Sequence, residues 1–279
     1  MKDILVFLSP SADGNALTGG VHYAIAMARM QGAHFTALIA DIESDLHDLP
    51  PEPDIRQIER AAIKPASSSE RVARTTELVK SAARDASVPC DTLLTADQSV
   101  SLREQVIRST QVHDILIVDV RGPLHSPRKD LIEAALFASG RPVVFVPPSP
   151  SLIAKDRIMI AWDGTRSAVR AVHDSLPLLV EAREVLVISV IDDKQFSTPH
   201  SGDALCRYLA RWHVDARFST IHRESLNIGR TLLAHARQAR ADLLVMGAFA
   251  HAFERSLMLG SATRDIFDTT IEIPVLLSH

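Results

Sequence analysis

DILIV at residues 114–118 returns as DLLVM at 242–246, and this echo decides how the chain is read. Each copy is an acid followed by an unbroken apolar run of strand length. A strand that is apolar without alternation is covered on both faces, which is the pattern of a parallel sheet flanked by helices. Downstream, RPVV at 141–144 is matched by IPVL at 273–276, again a proline entering an apolar run.

The order extends outward in both directions. In the first half the strand runs are Ile4–Leu8, HFTALIADI (34–42), CDTLLTA (90–96), DILIVDV (114–120) and RPVVFVP (141–147). Helical patterns lie between them, expected from near Asp13 and over 67–86, 100–110 and 129–138. The second half repeats this with RIMIAWD (157–163), EVLVISVID (184–192), VDARFST (214–220), DLLVMG (242–247) and IPVLLS (273–278). Its helices are expected over 166–180, 203–211, 226–240 and 262–268. Strand–helix alternation of this kind gives an α/β fold. The reading is two tandem βαβαβ-type domains, 1–148 and 152–279, each with a parallel sheet covered by helices on both faces. PPSPS at 147–151 forms a stiff linker between them. One large doubly wound sheet is the alternative. The halves differ at 41–66, an acidic, proline-rich expansion with a helical stretch expected around 55–63, read as a solvated insertion or as a lid or packing arm.

Composition narrows the function classes. The chain has 279 residues, 46% hydrophobic and 23% charged, with a formal net charge of -4, which gives no electrostatic footprint for nucleic acid or an anionic membrane. Cys90 and Cys206 are far apart and carry no CxxC spacing, so neither a disulfide framework nor a thiolate zinc site is expected. The opening MKDILVFLSPS has an acid at Asp3 and an apolar stretch too short for a signal core. No apolar run nears the roughly 18 residues of a membrane span. These features point to the cytoplasm. The 12 histidines are scattered without HExxH, and no metal site is expected. A GxxxxGK[ST] loop and a Ser–His–acid elbow are both missing, so no catalytic residue is assigned.

Loops at the carboxyl ends of the strands carry the remaining chemistry. In the second half, Asp163 follows the first strand, where it either meets a ligand or caps the next helix, a role that Thr165 or Ser167 could also fill. Ile191 ends the second strand, where backbone and an apolar side chain could flank a base. The fourth ends at Gly247, and a loop then leads to Gly260-Ser261 at the next helix start. His251 in that loop either contacts a phosphate or faces solvent. Arg255 and Arg264 either neutralise phosphate or pair with Glu254 and Asp265.

Gly247, Ala250, Gly260 and Ser261 form Gly-x2-small-x9-Gly-Ser, which resembles the nucleotide loop of the universal stress protein family, Gly-x2-Gly-x9-Gly-Ser/Thr. The tandem halves, Asp163 and the Ile-Pro-Val entry to the last strand are similar to that family too. The resemblance implies two tandem Rossmann-like domains of the adenine nucleotide alpha hydrolase-like kind, each a five-stranded parallel sheet with helices on both faces. It also implies ATP, alone or with Mg2+, in the second half. Asp163 would then meet adenine or ribose, main chain at Ile191 would hold the base, and Gly247, Gly260 and Ser261 would wrap the phosphates with an amide from Ala262. Ala250 departs from the motif's second glycine, and a positive φ there would cost about 1 kcal/mol.

The first half has lost this pattern. Asp119 stands in the place of Gly247, Arg128-Lys129 in that of Gly260-Ser261, and Ser9-Pro10 in that of Asp163-Gly164. The expectation is a regulatory, stress-response module with adenine nucleotide in the second half and a structural first half. A slow ATPase, using Asp163 or His251, and a nucleotide-free interaction protein are the alternatives. By analogy with the family, PVVFVP and PVLLS pair the halves as an intrachain pseudo-dimer, with a homodimer and further protein partners left open.

Overall fold

The computed structural model describes residues 1–11, 15–42, 67–94, 100–124, 128–148, 156–191, 201–223, 227–248, 250–251, 258–259 and 261–279. The helical stretch expected at 55–63 and the domain boundary near 150 lie outside these residues.

The first half runs β1 (Asp3–Leu8), α1 (Gly19–Gln31), β2 (His34–Ile39), α2 (Ser68–Asp85), β3 (Cys90–Leu94), α3 (Leu102–Gln111), β4 (Ile115–Asp119), α4 (Arg128–Ala138) and β5 (Val143–Val146). The second runs β6 (Arg157–Ala161), α5 (Arg166–Leu179), β7 (Glu184–Val190), α6 (Ser201–Ala210), β8 (Ala216–Ile221), α7 (Ile228–Gln238), β9 (Leu243–Gly247), α8 (Ser261–Phe267) and β12 (Val275–Ser278). A two-stranded ribbon, β10 (Ala250–His251) with β11 (Met258–Leu259), stands between β9 and α8.

All ten long strands form one sheet in the order β3-β2-β1-β4-β5-β12-β9-β6-β7-β8. Each half is parallel within itself, and the halves meet through an antiparallel pair, Val275 opposite Phe145 and Leu277 opposite Val143. The expected pairing of PVVFVP with PVLLS is therefore the seam of the molecule. The first-half strand order, 3-2-1-4-5, has its counterpart in β8-β7-β6-β9-β12.

Alternation sorts the two cores. Ile4, Val6 and Leu8 face a layer holding α1, α2, α5 and α6, while Leu5 and Phe7 face one holding α3, α4, α7 and α8. This two-sided burial is why the strands read as continuous apolar runs. Helix starts follow local chemistry. Ser67 and Glu70 make a reciprocal capping box on α2, and Ser101 accepts from the Glu104 N–H on α3. One expectation needs correction: residues 15–18 are not helical, and α1 begins at Gly19 after an extended Thr18. Gly19 and Gly20 are poor helix formers. The reason glycine stands at position 20 is a contact with β4 described below.

The acids that open the echo have one job in both halves. Asp114 Oδ2 accepts from the N–H groups of Lys2 and Asp3 at 2.5 and 3.1 Å, and Asp242 Oδ2 from those of Asp156 and Arg157 at 3.1 and 2.8 Å. Each acid thereby ties the entry of its fourth strand to the entry of its first. Burial alone would raise the Asp114 pKa, but the two N–H donors, the chain's amino group and Arg141 together bring it below the ordinary value.

Around the seam, Phe145 and Phe267 meet edge-to-face with centroids 5.1 Å apart, both completely buried or nearly so. Lys129 Nζ lies 3.2 Å from Asp268 Oδ1 across the same junction. Phe145→Ala should cost about 3–5 kcal/mol, since a large side chain is lost where two rigid half-sheets cannot collapse together. Urea unfolding checks this, and a loss under about 1 kcal/mol would mean the seam is loosely packed.

Candidate functional site

An open parallel sheet has its ligand crevice where the strand order reverses, outside the carboxyl ends of the strands. In the second half the reversal lies at β6, between β7 and β9. Asp163 follows β6, Ile191 follows β7 and Gly247 closes β9, so these three expected residues stand at the carboxyl ends of three adjacent strands. Ser261 and Ala262 open α8, as the sequence suggested. Gly260 and the side chains of Ala250, His251 and Ser261 lie outside the described residues, as do Glu254 and Arg255. The backbone of Ala250 is extended in β10, paired with Leu259, and extended backbone has negative φ. The strain anticipated for an alanine at this place is therefore not present.

Two of these residues also hold the scaffold. Asp163 Oδ1 accepts from the Thr165 N–H at 2.9 Å and from its hydroxyl at 2.6 Å, across a turn made by Gly164 at φ +71°. Thr165 is the N-cap of α5, its Oγ1 accepting from the Ala168 N–H at 3.3 Å. Asp163 is thus a buttress of the cap, and it is exposed at the crevice mouth. Gly247 is required by packing: a Cβ there would stand 2.6 Å from the Ala168 nitrogen and 2.8 Å from Ser167 Oγ. The glycine lets the first turn of α5 lie directly on β9, the role of a close helix–strand contact. Ile191, 44% exposed, gives its N–H to the Ile221 carbonyl at 3.1 Å, which commits that donor to the sheet.

The first half fills the corresponding place with its own carboxylate. Asp119, the last residue of β4, is 2% exposed and aims at the start of α1, where Oδ1 accepts from the Gly20 N–H at 2.6 Å. A Cβ on Gly20 would lie 3.0 Å from the Asp119 carboxyl, which accounts for the glycine. Oδ2 of Asp119 is buried as well. Burial pushes the Asp119 carboxyl above its ordinary range, outweighing the Thr18 hydroxyl, the Gly20 N–H and the charges of Arg128 and Arg121. Arg128 Nη2 donates to the Asp119 carbonyl at 2.8 Å. Arg128 and Lys129, expected where a phosphate loop would be, are therefore engaged in holding the strand end and the seam.

Sequence reasoning missed Gly20, and of the three caps it considered for α5, Asp163, Thr165 and Ser167, the structure uses Thr165. Asp265, one of the two alternatives for Arg264, accepts from Asn227 Nδ2 at 2.9 Å and the Gly229 N–H at 3.0 Å, linking α8 to the start of α7. Adjacent positions on a helix point apart, so an Arg264–Asp265 pair has no geometric basis. Among the described residues no group of three or more His, Cys, Asp or Glu is placed to hold a metal ion. No helix among them is long and apolar enough to cross a membrane.

Comparison with known proteins places this architecture. Residues 155–279 match the model of the universal stress protein family. A universal stress protein from Archaeoglobus fulgidus aligns with TM-score 0.65 and 14% identity, covering 98% of this chain and 95% of its own. A Pseudomonas aeruginosa UCBPP-PA14 chain, provisionally named a universal stress protein, aligns with TM-score 0.59 and 16% identity over 99% and 92%. At these identities the likeness is one of fold, and it spans both halves. No curated protein sequence matches the chain.

Two outcomes follow from the geometry. Gly247→Ala should destabilise by about 1–3 kcal/mol with no ligand present, because the methyl must displace helix backbone; an unchanged urea midpoint would contradict the packing role. The raised pKa of Asp119 means that the native state holds this proton more tightly than the unfolded chain. Below the unfolded value of about 3.9 both are protonated. As pH rises from there through the higher native value, the unfolded chain loses its proton first and stability falls. Asp119→Asn should remove that descent, so the variant gains on the wild type across this window and the gap is constant above it. Parallel pH–stability curves for the two proteins would contradict this.

Proposed function

We propose that this chain, whose residues 155–279 match the universal stress protein family model, is a cytoplasmic regulatory module that takes ATP or a related adenine nucleotide in its second half. The observation that carries the reading is the contrast between equivalent places. The first half puts a buried carboxylate at the helix start beside its switch point, and the second puts a glycine there, with an exposed acid and an exposed apolar residue at the neighbouring strand ends. In this reading Asp163 and the Ile191 main chain meet the adenosine. The phosphates run along Gly247 toward Gly260, Ser261 and Ala262, with or without Mg2+. The extended backbone at Ala250 supports it, since the departure from the family motif carries no backbone strain. Nucleotide state would be read by protein partners through the ribbon and α8, which follow β9 and precede the seam strand β12 in the chain.

A nucleotide-free interaction protein is the second reading, favoured by the structural work that Asp163 and Gly247 already do. Calorimetric titration separates the two. The proposal expects saturable ATP binding at one site per chain. Asp163→Ala should weaken it about tenfold or more, the value of a lost hydrogen bond to a charged group. Asp163→Asn, which keeps the acceptor for Thr165, shows how much of that loss passes through the cap. A flat isotherm with folded protein would leave the second reading in place.

A further inference from the structure

In the reading above, the chain between Ala248 and Ser261 wraps the phosphates, and it joins the end of β9 to the start of α8. Both of its anchors are held from the other half of the molecule. At the exit, Lys129 Nζ lies 3.2 Å from Oδ1 of Asp268, just past the last turn of α8, and 5.8 Å from the centroid of the Phe267 ring. The Leu124 N–H donates to the Phe267 carbonyl at the same place, at 2.8 Å. At the entry, His279 Nδ1 donates to the Ala248 carbonyl at 3.1 Å. The imidazole in turn meets the Phe137 ring edge-to-face, with centroids 5.0 Å apart. Lys129 and Phe137 stand near the two ends of one helix, α4.

The antiparallel seam explains how one helix reaches both anchors. The carboxyl edge of one half lies beside the amino edge of the other, so α4 starts next to the end of α8 and finishes next to the carboxyl ends of β9 and β12. From Lys129 to Phe137 a helix rises about 12 Å, and the seven residues of α8 rise about 10 Å, so the two are matched in length. Within its own half, α8 is tied at Asp265 to the start of α7, while its end is tied to the first half. A loop whose two ends are already fixed loses less freedom when it closes on a ligand, which raises affinity without a contact to that ligand. We propose that α4 of the first half sets the geometry of the nucleotide loop in the second, with Lys129 and Phe137 as positioning residues for phosphates they do not touch. The identity of the ligand rests on the nucleotide reading; the brace itself does not.

Amide hydrogen exchange in the free full chain and calorimetric titration with ATP test the two parts separately. Lys129→Gln should speed exchange at residues 265–267 about two- to fivefold, the scale of a lost, partly exposed ion pair. Phe137→Leu should speed it at residues 246–248 about two- to tenfold, the scale of a lost aromatic pair. Amides of β1 and β7 should keep their wild-type rates in both variants. ATP affinity should fall by similar factors with one site per chain retained. Exchanging the charges, Lys129→Asp with Asp268→Lys, should restore what Lys129→Gln loses. Exchange unchanged at both anchors, or raised equally across the sheet, overturns the proposal. So does an ATP affinity that neither variant alters in a protein that binds ATP. A wild type that ignores ATP, with both anchors loosening as stated, removes the nucleotide reading and keeps the brace.

Discussion

The antiparallel contact between β5 and β12 sets the constraint that the rest of the molecule obeys. Both strands are fully buried, so each half alone would present an apolar edge with unpaired backbone groups. Joining them closes both edges at once and makes one ten-stranded sheet. The contact also reverses direction: the carboxyl edge of one half lies beside the amino edge of the other. Each half therefore braces its partner's strand ends. The Leu124 N–H, after β4, donates to the Phe267 carbonyl at 2.8 Å, and Arg170 Nη2 on α5 donates to the Gly140 carbonyl at 2.7 Å.

Within that frame the halves solve one packing problem in opposite ways. The fourth strand must end against the first turn of the helix that follows the first strand, α1 in one half and α5 in the other. In the first half the helix supplies the glycine, Gly20, and the strand supplies the side chain, Asp119. In the second the strand supplies the glycine, Gly247, and the helix supplies Ser167. Volume is conserved while charge is not. A carboxylate already sits on the helix start in one half, satisfying its amide and repelling another anion, and the other half keeps that charge out.

Much of this was legible in the sequence because its causes are local. Continuous Val, Ile and Leu runs mark strands covered on both faces, and the repeated acid, run and proline mark equivalent strands. The alignment of Asp119 with Gly247 survives intact, both being last residues of fourth strands. The reasons behind those residues were hidden, because they are contacts between distant positions. Gly20 and Asp119 are 99 residues apart, and nothing local tells that one shapes the other. The start of α1, expected near Asp13, was misread for the same cause: the helix begins only at Gly19, beside the Gly20 that Asp119 requires. Gly247 was legible as important and misleading as to why, since a glycine that admits a phosphate and one that admits a helix look alike in one sequence.

The central claim is that the two switch points are unequal, one occupied by its own carboxylate and one open. Counting the adenine nucleotide released from freshly purified, denatured protein by ion-exchange chromatography tests it most directly. The account predicts close to one ATP, ADP or AMP per chain. Two per chain would show that Asp119 does not close the first half, and none, in protein that also ignores added ATP, would show that the second half is not the open site described.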